Sequence, residues 1–388
     1  MNKKKVLFIN TVCGFGSTGK IVCELANSTD YDSLVCYGRH DYDGNLNSYK
    51  FANFFDNAFG AIRTILFDNN INICSIATRR LIKKIKEYDP DIIHLHNLHG
   101  YYLNVEMLFR FLKEYNKPVI WTLHDCWALT GYCPHFDCAK CEKYKTGCFD
   151  CQHKFSYPFS LFKQRVEKEY EKKKNLFNSL NDLTIVVPSN WLKQKVEESF
   201  INNCKIVVVP NGIDLSKSVT NEKYDDFTVL AVANYWTEEK GINELEKIIP
   251  LLDKNIQVIL VGQLKNSNPV FDRCRKIDRT NNYDELIELY SKSHLLINPS
   301  LEDVFGLVNV EAQSCGTPVV AYNTGGIPET IFNKNNIIEK YDYLSFSKRV
   351  NQIYKKGLTY NECCFDLISK FDIKDMKQKY IEIYNHYS

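Results

Sequence analysis

No apolar run in this 388-residue chain approaches the roughly 20 residues that a membrane-spanning helix needs. A strong charge of either sign is also lacking, since 49 Lys and Arg stand against 47 Asp and Glu. That balance argues against a nucleic-acid partner, because duplex binding wants a strongly basic face. There is no internal repeat and no long low-complexity tract, which sets aside solenoids and disordered chains. Lys3-Lys4-Lys5 before Val6 to Ile9 imitates a secretion signal, but the apolar part is too short and meets Asn10. Without such a signal, the fifteen cysteines point to reduced thiols in the cytoplasm rather than to a disulfide framework.

What is present is an ordinary soluble composition, 44% hydrophobic and 25% charged, in a chain too long for one core. Two domains of nearly 200 residues suit it. Residues 1 to 200 carry 27 Lys and Arg against 22 Asp and Glu, and the remainder 22 against 25. The first half therefore mildly favours an anionic substrate or membrane surface. Short buried strands are expected at Lys5–Thr11, Ser33–Gly38, Asp91–Leu95, Pro118–Leu123 and Leu183–Ser189, with helices at Val105–Tyr115 and Trp191–Ser199. A second series opens at Thr228–Ala233 and continues with Val258–Gly262 and Leu295–Pro299. The boundary falls near residues 200 to 226, where a polar linker runs from Ser216 to Asp226. Alternating strands and helices of this kind make a doubly wound parallel sheet.

Two phosphate-binding patterns overlap after the first strand, in Cys13-Gly-Phe-Gly-Ser-Thr-Gly-Lys20. Neither holds. A P-loop needs Ser or Thr after its lysine, and position 21 is Ile; a dinucleotide site wants an acid after the second strand, and Arg39 stands there. Polar clusters do follow the next strands, as His96-Asn97-Leu98-His99-Gly100-Tyr101 and His124-Asp125, where such a sheet places its site. His94 and His96 share one strand face without an evident third metal ligand, and strand histidines are more often structural. Ser160–Leu180 reads as a charged helix, usually a solvated face, although Lys172 to Lys174 could meet lipid head groups.

The most informative stretch is Asn298 to Glu329. The strand Leu295–Asn298 leads through a loop bearing Glu302 and Asp303 into Phe305-Gly306 and a helix from Leu307 to Ser314, and a second strand follows at Pro318–Tyr322. The loop opens at the carboxyl end of a strand, and the first amides of the helix, at Leu307 and Val308, attract phosphate. Gly306 lets the backbone approach a diphosphate, and Glu311 lies one turn on, where a carboxylate can accept from two ribose hydroxyls.

Six cysteines fall between Cys126 and Cys151. The spacing Cys138-x2-Cys141-x6-Cys148-x2-Cys151 resembles paired metal knuckles, and four thiolates so spaced read as structural zinc; the alternative is a loop of free thiols.

Asp303-x7-Glu311 within DVFGLVNVEA, followed by GTPVVA and GGIPE, resembles the nucleotide-sugar motif of retaining GT-B glycosyltransferases of family 4. The resemblance covers nearly the whole length. It implies two facing Rossmann-like doubly wound domains with a central cleft: residues 1–204 on the acceptor side with a Cys-rich insertion at 126–151, residues 205–370 binding the nucleotide sugar, and 371–388 as a helix crossing back. In that family the first acid faces the donor sugar and the second holds the ribose; here the first is Asp303, with Glu302 beside it. The Gly-rich loop, including Gly16, lies against the donor diphosphate and acceptor, and His124 sits beside the donor sugar. His96, Asn97, His99 and Tyr101 fall on the acceptor side. The family pairs an Arg with the lysine that corresponds to Lys240; Tyr235 or Trp236 replaces it here, and Arg279 is the candidate substitute. The stretch WTLHDCWALTGYC resembles a subgroup from polysaccharide clusters whose recurrent cysteines correspond to Cys133, Cys141, Cys148 and Cys151, which leaves Cys138 extra.

The function implied is transfer of a sugar, with retention, from a nucleotide sugar to a saccharide or polyprenyl-diphosphate-linked saccharide in surface polysaccharide biosynthesis. His124, Lys240 and Asp303 carry the chemistry, with no catalytic cofactor, in a cytoplasmic protein with peripheral contact at the inner face of the membrane. A sugar-nucleotide epimerase on the same fold, a non-catalytic zinc-containing binding protein and an NADPH oxidoreductase are the alternatives.

Overall fold

The computed structural model describes residues 3–67, 70–151, 165–265, 268–357 and 368–387. The chain divides into two compact units, one made of Met1–Val209 with Lys377–Ser388 and the other of Pro210–Met376.

The first unit runs β1 (Lys5–Val12), α1 (Gly16–Ala26), β2 (Asp32–Arg39), β3 (Ser48–Lys50), α2 (Phe54–Phe67), α3 (Ser75–Tyr88), β4 (Ile92–Leu95), α4 (Val105–Tyr115), β5 (Val119–Thr122), α5 (Val166–Phe177), β6 (Leu183–Val187), α6 (Asn190–Glu197) and β7 (Lys205–Val208). Among the described residues its strands form one sheet in the order β3-β2-β1-β4-β5-β6-β7, parallel throughout. Strands covered on both faces must be apolar along their length. Val6, Leu7, Phe8 and Ile9 in β1 and all four residues of β4 are accordingly buried. The order reverses between β1 and β4, so the loops that leave these strands diverge and open a crevice at their carboxyl ends.

The second unit repeats the scheme with β8 (Thr228–Trp236), α7 (Ile242–Ile248), β9 (Gln257–Leu264), β10 (Arg275–Ile277), α8 (Tyr283–Lys292), β11 (Leu295–Asn298), α9 (Leu307–Ser314), β12 (Val319–Asn323), α10 (Ile327–Thr330), β13 (Ile337–Glu339) and α11 (Tyr343–Lys356). Its sheet has the order β10-β9-β8-β11-β12-β13, parallel in every pairing. Its switch point lies between β8 and β11. Leu230, Ile259, Leu296, Ala312, Val319 and Tyr290 meet in its core.

A final helix, Ile373–Asn385, supplies Lys377 onward to the first unit. Its tyrosines reach into the sheet: Tyr384 Oη lies 2.7 Å from His94 Nδ1, and Tyr380 Oη lies 2.9 Å from Thr122 Oγ1. His94 Nε2 in turn lies 2.8 Å from Thr122 Oγ1. His94 is thus a core histidine with both nitrogens satisfied. Tyr384→Phe strands one of those nitrogens in the interior, at a cost of about 1–3 kcal/mol. The expected result is a lower urea midpoint with native secondary structure retained; an unchanged midpoint would show that the bond contributes nothing net.

Candidate active site

In the second unit, three loops that leave the carboxyl ends of β8, β11 and β12 meet at one residue, Asp303. Asp303 Oδ1 accepts from the amides of Phe305 and Gly306 at 3.1 and 3.0 Å. The helix α9 begins at Gly306, which has no side chain to cap it, so Asp303 serves the helix end from three residues upstream. Its other oxygen, Oδ2, takes a 2.7 Å ion pair from Lys240 Nζ. Burial alone would raise the Asp303 pKa, but Lys240 and the two amides outweigh it and hold the carboxyl below its usual range.

The backbone makes the same junction. Leu301 N donates to Glu239 O at 2.8 Å, and Gly326 N donates to Asp303 O at 3.0 Å. Gly241 and Gly325 sit at φ +80° and +57°, and a Cβ would fall 2.1 Å from Pro299 O at the first and 1.9 Å from Asp303 O at the second. Only glycine permits so close an approach in this conformation.

Glu311, one turn into α9, is nearly buried and accepts from Tyr283 Oη at 3.2 Å and Tyr290 Oη at 2.9 Å, one on each carboxylate oxygen. A carboxylate offers about four acceptor directions, and the two tyrosines use one on each oxygen. Both tyrosines lie on α8, and the pairing is not legible along the chain because 28 and 21 positions separate them from Glu311. Leu307 and Val308 lie in the first turn of α9, where a helix has no carbonyl for its leading amides. Phe305 contributes its amide, while its ring is buried against Phe371. Glu302 is buried beside Asp303. Arg279 is exposed between β10 and α8 and, among the described residues, makes no ion pair with Asp303. Tyr235 is half-exposed, and Trp236 is buried at the end of β8.

In the first unit, His96, Asn97, His99 and His124 line one pocket together with Asp125 and Trp127. His96 Nδ1 lies 2.9 Å from His124 Nε2, and among the described residues His96 Nε2 is buried without a partner. An orphaned acceptor costs less here than an orphaned N–H, which assigns the proton to His96 Nδ1 and makes His124 Nε2 the acceptor. His99 Nε2 lies 2.7 Å from Asp125 Oδ2, and Trp127 N donates to Asp125 Oδ1 at 2.8 Å. Burial opposes ionisation of Asp125, but His99 and the Trp127 amide prevail and bring it down to about 2. Asn97 O accepts from Tyr102 Oη at 2.7 Å and from Thr11 Oγ1 at 3.0 Å, which fixes the loop after β4 to the end of β1. Tyr101 adopts φ +66°, and its carbonyl accepts from Cys74 Sγ at 3.1 Å; it is not among the pocket-lining residues. Gly16 opens α1, and its α-carbon faces free space. Trp127 was not singled out from sequence, whereas Asp125 was read with His124 as a polar cluster but given no role.

The Cys-rich segment and the helix after it bear on two expectations. Among the described residues no three His, Cys, Asp or Glu are grouped to hold a metal ion, so the zinc ligands expected at Cys133, Cys141, Cys148 and Cys151 are not supported. The thiols do lie near one another: besides burial, Cys148, Cys151 and Cys141 push the Cys133 pKa up, to about 12. Proximity short of a closed tetrahedral shell is not a zinc site. Cys148 Sγ instead accepts from Gly131 N at 3.3 Å. On the helix after the Cys-rich segment, read as a solvated face that could meet lipid head groups, Lys172 and Lys174 are exposed but Lys173 is fully buried. Its ammonium lies 3.5 Å from the centre of the Trp127 ring and donates to Trp127 O and Thr130 O, both at 2.9 Å. Burial lowers its pKa to about 7. The expected helix begins at Val166 in the described part, and residues 160–164 lie outside it.

Two parallel α/β sheets, each with loops gathered at its switch point, define the class of GT-B proteins. Solved structures agree in fold: sucrose-phosphate synthase from Thermosynechococcus elongatus has a TM-score of 0.72 at 14% identity, covering 99% of both chains. The Anabaena protein HepE, in complex with UDP and glucose, has a TM-score of 0.69 at 17% identity, covering 99% of this chain and all of the other. Residues 50–217 match the family described as Glycosyltransferase Family 4, and residues 213–364 match Glycosyl transferases group 1. The chain belongs to the glycosyltransferases built from this pair of domains. It is 27% identical over 265 residues to the putative colanic acid biosynthesis glycosyl transferase WcaC of Escherichia coli, and the match spans 62% of each chain. Nothing among these relatives supports the epimerase alternative.

The histidines give the first unit a pH dependence. Burial holds His94 and His96 well below 6.5 and brings His124 down to about 4, despite the opposing charge of Asp125. Above about pH 6.5 neither the folded nor the unfolded chain binds these protons. Below it, the unfolded imidazoles protonate while the buried rings stay neutral, so stability declines as the pH falls, and the His124 contribution levels off near 4. Urea unfolding at about pH 7.5 and about pH 5 measures this; a midpoint that does not fall on acidification is the contrary outcome.

Proposed function

We propose that this chain transfers a glycosyl group from a nucleotide sugar to a saccharide hydroxyl, with retention, in the assembly of a surface polysaccharide. The observation that carries the reading is the group formed by Lys240, Asp303, the first turn of α9 and Glu311 at the switch point of the second sheet. A diphosphate fits it: the Lys240 ammonium supplies charge, and the leading amides at Leu307 and Val308 supply donors in line with the helix dipole. Glu311, one turn into α9 with its carboxylate held by the two tyrosines, suits the ribose hydroxyls.

The chemistry asked of the protein is electrostatic. As the bond to the sugar breaks, negative charge grows on the leaving phosphate, and Lys240 leans towards it from Asp303. The acceptor proton passes to that phosphate on the same face, so no protein nucleophile is needed. Asp303 or Glu302 holds the sugar. In the first unit, neutral His124 offers its Nδ1–H to the donor sugar, and His96, Asn97, His99 and Tyr101 serve the acceptor. The glycosyltransferase relative from colanic acid biosynthesis supports a saccharide acceptor. A polyprenyl diphosphate on that acceptor would place the enzyme on the cytoplasmic face of a membrane. No described helix is long and apolar enough to cross one.

Thermal-shift screening of nucleotide sugars identifies the donor. Glu311→Ala then removes charge-assisted bonds of about 1.5–3 kcal/mol each, and calorimetry should record nucleotide affinity lower by tenfold or more. Equal affinity in the variant would remove the ribose from Glu311.

Lys240→Ala separates catalysis from binding. A partner for charge that appears only in the transition state should cost roughly a hundredfold or more in kcat. Initial rates at saturating donor decide it: a raised KM with kcat intact would reduce Lys240 to a binding contact.

A further inference from the structure

The helix α2 is turned inside out. Its buried residues are Gly60 and Thr64, while Phe54, Phe55, Phe59, Ile62, Leu66 and Phe67 are each between 46% and 79% exposed. Small residues face the protein because the backbone packs there: a Cβ on Gly60 would meet Tyr101 O at 2.5 Å. Phe55, Phe59, Ile62 and Leu66 recur at helical spacing on the outward face, over a helix about 21 Å long. Ile76, at the start of the next helix, α3, is likewise 63% exposed. A continuous apolar face of this extent is not left to water in a stable monomer without a partner.

The charges nearby say what that partner is. Together α2 and α3 carry six Lys and Arg, namely Arg63, Arg79, Arg80, Lys83, Lys84 and Lys86, against Asp56 and Glu87. Asp56 is the one acid of α2, and it is turned inward, paired with Arg80 at 2.9 Å and 11% exposed. Arg63 lies over the Phe59 ring at 5.8 Å, and Arg79 and Lys83 are exposed one turn apart on α3. Apolar side chains bordered by cations suit the boundary between acyl chains and anionic head groups. A second copy of the chain suits it poorly, since a two-fold contact would set the same cationic surface against itself.

We propose that α2 lies in the interfacial layer of an anionic membrane, with Phe55, Phe59 and Ile62 among the acyl chains and α3 supplying contacts to the head groups. The proposal deepens the reading of a membrane-borne acceptor and rests on it. The face is distinct from that of Lys172 and Lys174 on α5, which are exposed although Lys173 between them is buried.

The experiment is flotation of the full chain with vesicles of phosphatidylcholine alone and with about 30% phosphatidylglycerol, at low and high salt. Binding to the anionic vesicles, weakened by salt, is expected, together with a loss of about tenfold or more in the triple variant Phe55→Ser, Phe59→Ser, Ile62→Ser. These side chains are exposed, so the variant should unfold at the wild-type temperature, and that is checked first. Arg79→Gln with Lys83→Gln should weaken binding less and reduce its salt dependence. Wild-type protein that stays with the unbound fraction would overturn the proposal, as would a triple variant that binds as well as wild type. A wild-type dimer in solution that the triple variant dissolves would assign the face to a second copy. Nucleotide binding, measured without lipid, reports separately on the donor reading, so either idea can fail while the other stands.

Discussion

The ion pair between Lys240 and Asp303 is where the second unit is tied together. The Asp303 carboxylate serves a lysine from the β8 loop and two amides that open α9, and its main-chain carbonyl serves the turn after β12. A carboxylate held this way cannot drift, because each oxygen has a partner of fixed position. The arrangement also explains why its surroundings are glycine: side chains at 241 or 325 would occupy the space through which the loops meet. The ammonium remains 40% exposed while the carboxylate is 21% exposed. The anchor is thus sheltered while the charge it orients still faces solvent, the combination required of a preorganised electrostatic partner.

The first unit solves a different problem, keeping a polar pocket at the end of an apolar sheet. Its answer is a stack of neutral imidazoles. His94, His96 and His124 pass from the core to the pocket, with rings 4.2 and 5.2 Å apart in succession, and a charge on any one would be opposed by burial and by its neighbours. Beyond them His99 Nε2 meets the Asp125 carboxylate, and the Trp127 ring that covers the buried Lys173 ammonium closes the same wall.

Much of this was legible because parallel strands are apolar throughout and end in polar clusters. Leu295–Asn298, Val105–Tyr115 and Leu307–Ser314 are found at the expected bounds, since each is framed by a clear stop or cap such as Asn104, whose side chain accepts from Met107 N. The helix α2 was missed for the reason that makes it interesting: its pattern is apolar nearly all round, so periodicity cannot say which face is inside. The tyrosines on Glu311 were missed because packing between α8 and α9 leaves no trace in spacing. Cysteine spacing was not enough to establish zinc, since a motif read along one segment cannot report the geometry in which the sulfurs meet.

The first unit is not continuous in sequence, since its last segment begins at Lys377, after the whole of the second. His94 and Thr122 are then among the early residues of the chain, while the hydroxyls that satisfy them, on Tyr384 and Tyr380, are among the last. Domains commonly fold in order as they leave the ribosome, but here His94 has Thr122 on one nitrogen and lacks a hydroxyl for the other until the final helix is made. Synthesis of the second unit is a built-in delay in the maturation of the first.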